Sequence, residues 1–289
     1  MAEADVGFKS KLCVFFGLDR SNQYKRRVRA AHDSELAAQI RAVIAEHKHY
    51  GHRRIATELG IGKNRVRRVM RVCGIPPPRW RKQYVKASNG TKPAPSNLLK
   101  PTDGSSGPVA RYPHHIWAED FTYLWFQGRF YYLATVIDLY SRQIVGWALG
   151  KRHDTGLITA ALMDAVSRHP APAILHNDRG SEYLSKMYQT ICASLEIAMS
   201  ASAPGSPWEN GFQESFYNNF KLELGNLSQY DNEGQLLEAI ALQLHYYNTK
   251  RIHSALNTNP AAYAARFEGQ GEDKNLTEVR DKVMTEVGT

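Results

Sequence analysis

The chain is 289 residues long, and 37 lysines and arginines against 28 aspartates and glutamates leave a net charge of +9. That length exceeds one typical domain and predicts two or three units, and the basic excess favours a polyanionic partner such as nucleic acid. Cys13, Cys73 and Cys192 lack any CxxC spacing, no apolar run nears the ~20 residues of a membrane span, and the first twenty residues do not read as a signal peptide; a disulfide framework, a zinc knuckle and a membrane partner are excluded, and a cytoplasmic protein is expected.

Residues 8–31 read as two short helices. Phe8, Leu12, Phe15 and Phe16 share an apolar face, Gly17 stops the first helix, and Asp19 or Ser21 caps the second before the basic run KRRVR at 25–29. A clearer helix is expected from a cap at Asp33 or Ser34 to about residue 50, with Leu36, Ile40, Val43 and Ile44 at helical spacing. A helix over about 52–59, a glycine turn at 60–62 and a helix through KNRVRRVMRVCG follow. Val66, Val69, Met70 and Cys73 face inward there, leaving Lys63, Arg65, Arg67, Arg68 and Arg71 outside. This is the pattern of a helix-turn-helix that lays its last helix in a major groove; the plainer alternative is a helical hairpin with a basic face. Five cations on one short helix favour DNA contact.

Pro76, Pro77 and Pro78 end that helix. Arg79, Trp80, Arg81 and Lys82 interleave an aromatic with cations, which suits either phosphate contact with base stacking or a surface linker. From about 86 to 108 the composition turns to Ser, Gly, Asn, Thr and Pro, as in a linker.

From residue 114 the periodicity changes. Strands are predicted over 116–124 and 130–140, joined by a turn with Gln127 and Gly128 at its tip, and over 143–149. A helix over about 155–168, a short strand over 174–177, a helix over 186–195 and a strand over 197–202 complete the pattern. A three-strand meander followed by alternating helices and strands gives an α/β class with a mixed five-stranded sheet. Open α/β sheets hold their ligands at strand ends, and polar residues collect there in this sequence.

Three acids stand at such places. Asp120 lies in IWAEDFTYL, Asp178 follows the apolar run 173–175, and Glu214 opens a helical pattern; 57 residues separate the first two and 35 the second two. Two-metal phosphoryl chemistry needs carboxylates converging on divalent cations ~4 Å apart, and oxygen-only ligands select Mg²⁺ or Mn²⁺ over zinc. Strand side chains alternate, so only one of Glu119 and Asp120 can point into a site; Asp120 shares its face with Ala118 and Thr122. Asn210, Glu214, Asn218 and Lys221 form a polar helical stripe beside an apolar one of Phe212, Phe216 and Phe220. Glu214 then faces the metals while the phenylalanines anchor the helix, and Lys221 is placed to touch a DNA phosphate. Glu209 falls off that face and reads as a first-turn residue complementing the helix dipole.

The runs WAEDFTYL, HNDRGSEY, GSPWENGFQESFYNNFKLE and YYNTKRIHSALNTNPAAY closely resemble the second-frame product of transposases of the insertion sequence three family, whose catalytic domain is similar to retroviral integrases. The spacings of 57 and 35 match that family's Asp-Asp-Glu arrangement, and HYGHRRIATELG with NRVRRVMRVCGI resembles its helix-turn-helix region, so the resemblance covers about residues 11–267. It implies a ribonuclease H-like fold, with Asp120, Asp178 and Glu214 as catalytic ligands of two Mg²⁺ or Mn²⁺ ions and Lys221 as a DNA contact. Tyr246, Tyr247, Asn248, Arg251, His253 and Leu256 match the family's C-terminal signature. A helix is expected to pack back on the core there, with Lys250 and Arg251 lending cations to DNA. A base role for His253 is not favoured, since metal-bound water needs none. Asn177, Glu182 and Glu209 stand where relatives commonly carry Ser, Gln and Asp, and leave all three acids in place.

The organisation so predicted is a helical DNA-binding region over 1–78, a basic then Pro/Ser/Gly-rich linker over 79–110, an integrase-like core with C-terminal helices over 111–267 and a charged tail over 268–289. The resemblance implies a transposase that frees a 3′-hydroxyl at an element end by metal-dependent hydrolysis and directs it at another phosphodiester. Its expected partners are double-stranded DNA at terminal inverted repeats and targets, further copies of itself, and a first-frame protein or frameshift fusion, in the bacterial cytoplasm and on the nucleoid. The rivals are a DNA-binding regulatory half, inactive without its first-frame partner, and a ribonuclease H-type nuclease, against which the basic N-terminal helices argue.

Overall fold

The computed structural model describes residues 15, 20–77, 95, 97–99, 110–178, 180–202 and 211–268, with the side chains of the first helix described from residue 31. The expected helix over the first residues, the side chains of 25–29, the aromatic-cation run 79–82, Glu209, Asn210 and the tail beyond 268 lie outside the described residues. The chain divides into two compact units, Met1–Trp80 and Arg81–Thr289.

The first unit is helical. One unbroken helix, α1 (Arg20–Glu46), runs where two were expected, and it ends short of residue 50. Asp33, which reads locally as a cap, sits inside α1 and is buried. Its two carboxylate oxygens accept from both terminal nitrogens of Arg68 at 2.6 and 2.5 Å, so a tertiary ion pair uses the residue that the sequence offers as a helix start. Helices α2 (His52–Glu58) and α3 (Lys63–Val72) are joined by a turn in which Gly60 takes φ +64°, a left-handed value that favours glycine. Leu36, Ala37 and Ile40 of α1 are buried, as are Ile55 of α2 and Val66 and Val69 of α3.

The second unit is built on a five-stranded sheet in the order β3-β2-β1-β4-β5. The strands are β1 (Ile116–Phe126), β2 (Arg129–Asp138), β3 (Ile144–Gly150), β4 (Ile174–Asn177) and β5 (Ala198–Ala201). β1, β2 and β3 form an antiparallel meander, while β4 and β5 run parallel to β1, giving the mixed, ribonuclease H-like sheet that the resemblance implies. The β1–β2 turn has positive φ at both Gln127 and Gly128, the backbone twist that two-residue hairpins favour.

Helices cover both faces. Residues of α4 (Thr155–Val166) and α5 (Lys186–Ser194) form one core with Trp117, Ala134, Val136 and Val145. On the other face α6 (Gly211–Leu224) and α7 (Glu233–Thr249) bury Phe216, Phe220, Leu236 and Ile240 against Ala118, Leu124 and Leu133. Alternate β1 residues thus serve opposite layers, as strand geometry requires. At Gly146 of β3 the sheet meets α4 at backbone distance: a Cβ there would lie 2.4 Å from the Ala161 carbonyl oxygen and 2.7 Å from the Ala165 nitrogen.

Two further features anchor the unit. Asn248 near the end of α7 accepts from the Ile144 amide at 2.9 Å and donates to its carbonyl at 2.8 Å, so the expected C-terminal helix does pack back on the core, and α8 (Pro260–Glu268) follows it. Within the stretch read as a linker, Leu99 is buried in the core on the α6–α7 side, and the Leu98 amide donates to Ser200 Oγ at 2.9 Å. Among the described residues, no helix is long and apolar enough to cross a membrane.

Candidate active site

Strand β1 carries two adjacent acids, and the pleat sends them opposite ways. Glu119 is fully buried on the α4–α5 side, where its Oε2 accepts a hydrogen bond from the Tyr188 hydroxyl. Burial raises its carboxyl pKa against the opposing Tyr188 bond, and with the charge of Asp120 added it stands at about 8. Asp120 is half-buried; its Oδ1 accepts from the Phe121 amide at 2.8 Å, and its carbonyl accepts from the Tyr217 hydroxyl at 2.6 Å.

Asp178 comes alongside through the sheet. β1 and β4 pair in parallel with Ala118 opposite His176, so two residues further along each chain Asp178, just past the end of β4, comes beside Asp120, which lies within the longer β1 and not at the strand end expected for it. His176 is fixed by Ser200 Oγ at Nδ1 and Ser202 Oγ at Nε2, both at 3.0 Å, which holds the strand that delivers Asp178. Burial raises the Asp178 pKa; the Gly180 amide, donating to Oδ1 at 2.7 Å, opposes that rise, and the charge of Glu182 adds to it. Buried Tyr183 lies close enough to Glu119, Asp120 and Asp178 for all three charges to raise its hydroxyl pKa further, after burial. Gly180 is confined by the same group, since a Cβ there would fall 2.8 Å from a Glu182 oxygen and 2.9 Å from an Asp178 oxygen.

Glu214 lies in the first turn of α6 and is exposed. The helix is pinned beside it by two polar residues that the sequence reading passed over. Gln213 Nε2 donates to the Ala118 carbonyl at 2.8 Å and to the Thr135 carbonyl at 3.2 Å, while its Oε1 accepts from Thr135 Oγ1. The Tyr217 hydroxyl shares a bond with the same Thr135 hydroxyl at 2.8 Å. The buried stripe therefore runs through 213, 216, 217, 220 and 224, whereas Phe212, expected to anchor the helix, is half-buried with the Arg142 guanidinium 3.8 Å from its ring centroid. The signal was present, because 213, 217, 220 and 224 recur at helical spacing.

Lys221, expected as a DNA contact, lies within reach of the Asp120 charge. Its Nζ sits 4.4 Å from the Tyr123 ring centroid; burial lowers its pKa, and the charge of Asp120 pushes it back up. His153, also missed, contacts Glu182 at 3.0 Å and stacks on Phe121 at 5.6 Å. Asp120 and Asp178 are thus brought together with Lys221 and Glu182 nearby. Among the described residues, however, no three histidine, cysteine or acidic side chains are grouped closely enough to hold a metal ion.

The remaining predicted contacts divide. Lys63, Arg65, Arg67 and Arg71 are exposed on α3, and the His52 pKa is lowered by burial and then by the charges of Arg53, Arg67 and Lys63. Arg68, expected outside, is turned to Asp33 instead, a correction that follows from its bidentate pairing. Lys250 is exposed, but Arg251 is only 2% exposed and donates from Nε to both Glu223 oxygens at 2.7 and 2.9 Å, so its expected DNA contact is replaced by an internal ion pair.

Two models of an integrase core domain match the chain, over residues 110–207 and 195–260. The transposase of insertion sequence element IS904 from Lactococcus lactis is 34% identical over 232 residues, covering 77% of this chain and 90% of that protein. A 31 kDa protein of insertion element IS600 from Shigella sonnei is 32% identical over 272 residues, covering 89% of this chain and 98% of that protein. Among solved structures, the HTLV-2 integrase catalytic core domain in complex with magnesium, in its trimeric form, gives a TM-score of 0.47 at 22% identity, over 54% of this chain and 99% of that one.

Proposed function

Because the chain belongs to the insertion-sequence transposases, of the insertion sequence three family type, we propose that Asp120, Asp178 and Glu214 form the Asp-Asp-Glu centre of its strand cleavage and strand transfer. The observation that carries this reading is the parallel β1–β4 register, which sets Asp178, just past the end of β4, beside Asp120 within β1. A hard divalent cation, Mg²⁺ or Mn²⁺, suits the donor set, since each proposed ligand is a carboxylate and a cation would relieve the burial and the Glu182 charge that raise the Asp178 pKa. Asp120 and Asp178 would hold it, and Glu214 would join from the helix to complete a two-ion set. When bound, such ions activate the attacking oxygen and stabilise the leaving one in an in-line displacement.

The chain's own groups supply the rest. Lys221, between Asp120 and Tyr123, offers its ammonium to the scissile phosphodiester. Gln213 and Tyr217 hold the helix of Glu214 to the strand of Asp120. No covalent protein intermediate is needed: water breaks the first P–O bond, and the freed 3′-hydroxyl attacks the second phosphodiester.

The first unit, taken as 1–78, is proposed as the duplex-binding region. It would act as a helix-turn-helix through Lys63, Arg65, Arg67 and Arg71, with Lys250 of the 111–267 core as a further phosphate contact and 79–110 as the connection. Terminal repeats and target DNA, further copies of the chain and a first-frame protein are its proposed partners, in the bacterial cytoplasm and on the nucleoid.

The test is cleavage and joining of labelled element ends with Mg²⁺, alongside gel-shift binding. Asp120→Asn and Glu214→Gln are expected to abolish both reactions and to keep DNA binding; normal joining by either variant overturns the assignment. The rival reading is a DNA-binding regulatory half, inactive without its first-frame partner. Binding without cleavage by the unaltered chain supports it.

A further inference from the structure

The hairpin formed by β1 and β2 presents a run of aromatic rings to solvent. Tyr123, Trp125 and Phe130 are 39%, 58% and 45% exposed, well beyond the usual burial of such side chains. Phe130 meets Tyr123 at 5.6 Å and Trp125 at 4.6 Å, both edge-on. Further down the same face, Phe121 contacts Tyr132 at 6.3 Å, and the two share His153, at 5.6 and 4.9 Å. The register places Tyr123 opposite Tyr132 and Trp125 opposite Phe130, so these rings lie on one side of the two strands.

The carboxylates border this face. His153, on it, touches Glu182, whose charge reaches Asp178, while Asp120, next to Phe121 on β1, points to the opposite side of the strand and is linked to the rings through Lys221. At its middle the Lys221 ammonium lies over Tyr123, so a cation borders the rings between the acids and the hairpin tip. From Phe121 to Trp125 the face extends about 14 Å at ~3.4 Å per strand residue. At ~3.4 Å per nucleotide of one DNA strand, that spans roughly four stacked bases.

We propose that this face is a stacking surface for unpaired bases of the DNA strand that enters the carboxylate site. The inference rests on the transposase reading above and adds the form of the substrate: an element end opened over a few base pairs at the point of cleavage, its bases laid on rings and its phosphates beside Lys221. Every base presents a π-face, so such a surface tolerates any sequence, and a bordering cation suits a polyanionic strand. A second copy of the chain is the competing occupant, and the charge at Tyr123 disfavours it.

The test uses the full chain without divalent metal, so that no strand is cut, and two fluorescein-labelled element-end duplexes. One duplex is fully paired; the other carries four mismatched terminal pairs. Fluorescence anisotropy is expected to show tighter binding to the opened end. The double substitution Trp125→Ala with Phe130→Ala should weaken that binding at least ~tenfold while leaving the paired duplex unchanged. Trp125→Phe with Phe130→Tyr, which keeps the rings, should retain the preference and guards against a folding defect. Equal affinity of the unaltered chain for both ends overturns the inference alone. So does sedimentation showing that the alanine pair dissolves a dimer while the preference survives, which makes the face an interface between copies. Failure to bind either duplex overturns the DNA-acting reading itself and this inference with it.

Discussion

Arg68 and Asp33, 35 residues apart, lock α3 to α1 through two parallel charge-assisted hydrogen bonds at 2.6 and 2.5 Å. Their side chains are 27% and 10% exposed, so the pair is only partly screened by water. Helix α3, with five cations and no acid, therefore gives one arginine to its own scaffold and leaves the other four to solvent.

Arg68→Ala should accordingly destabilise the helical unit by about 1.5 to 3 kcal/mol, the range for hydrogen bonds to a charged group, here the buried Asp33 carboxylate. Arg67→Ala, on the exposed side, should change stability by less than ~0.5 kcal/mol but weaken duplex binding and lower the salt slope by about one. Urea unfolding and anisotropy titrations at several salt concentrations separate the two. Equal stability losses in both variants would sink this division of labour.

Gln213 supplies donors to two buried main-chain carbonyls, Ala118 on the strand of Asp120 and Thr135 on the neighbouring β2. Gln213→Leu keeps most of the volume and removes both donors. It should cost about 2 to 3 kcal/mol and cut cleavage more than tenfold with DNA affinity unchanged, because the turn carrying Glu214 loses its tether. Ser215→Ala, two residues on and exposed, is the control. Normal cleavage by the Gln213 variant would show that the tether does not position Glu214.

His115 is buried, its Nδ1 accepts from the Arg111 amide at 3.2 Å, and Tyr112 stacks on it at 4.6 Å. Burial first, and then the Arg111 charge, lowers its pKa from 6.5 to about 4. The folded state then binds fewer protons than the unfolded state between those values. Stability from this group is complete above pH ~6.5 and declines as pH falls towards ~4, to a limit on the order of 3 kcal/mol. His169, lowered to about 4 by burial and then by the charges of His114 and Arg168, acts in the same direction. Denaturant midpoints measured from pH 7 to 4 should fall less steeply for His115→Gln than for the unaltered chain; parallel slopes refute the assignment.

What the sequence disclosed was local. The strand at 174–177 lies where the short apolar run placed it, the hairpin turns at Gln127–Gly128, and alternation along β1 separated Asp120 from Glu119, because each follows from residues within a few positions. What it hid was paired at a distance. Asp33 looked like a helix start because its true partner lies 35 residues on, and Arg251 looked available to DNA because Glu223 lies 28 residues back. Leu98 and Leu99 form a two-residue apolar island in a polar stretch, too short for any periodicity to reveal that Leu99 enters the core. Glu182 and His153 reach the site across separate loops, for the same reason.

The seat of α4 on Gly146 bears on how this protein can vary as its element is copied. Alanine, the smallest step available, already brings a carbon within 2.4 Å of a main-chain oxygen that cannot swing aside as a side chain would. Position 146 is therefore closed to drift, although it lies away from every proposed ligand, while exposed Lys250 is open to exchange on packing grounds. A lineage that lost Gly146 would have to shift the whole helix, and the core of Trp117, Val136 and Val145 beneath it, to keep the same reaction.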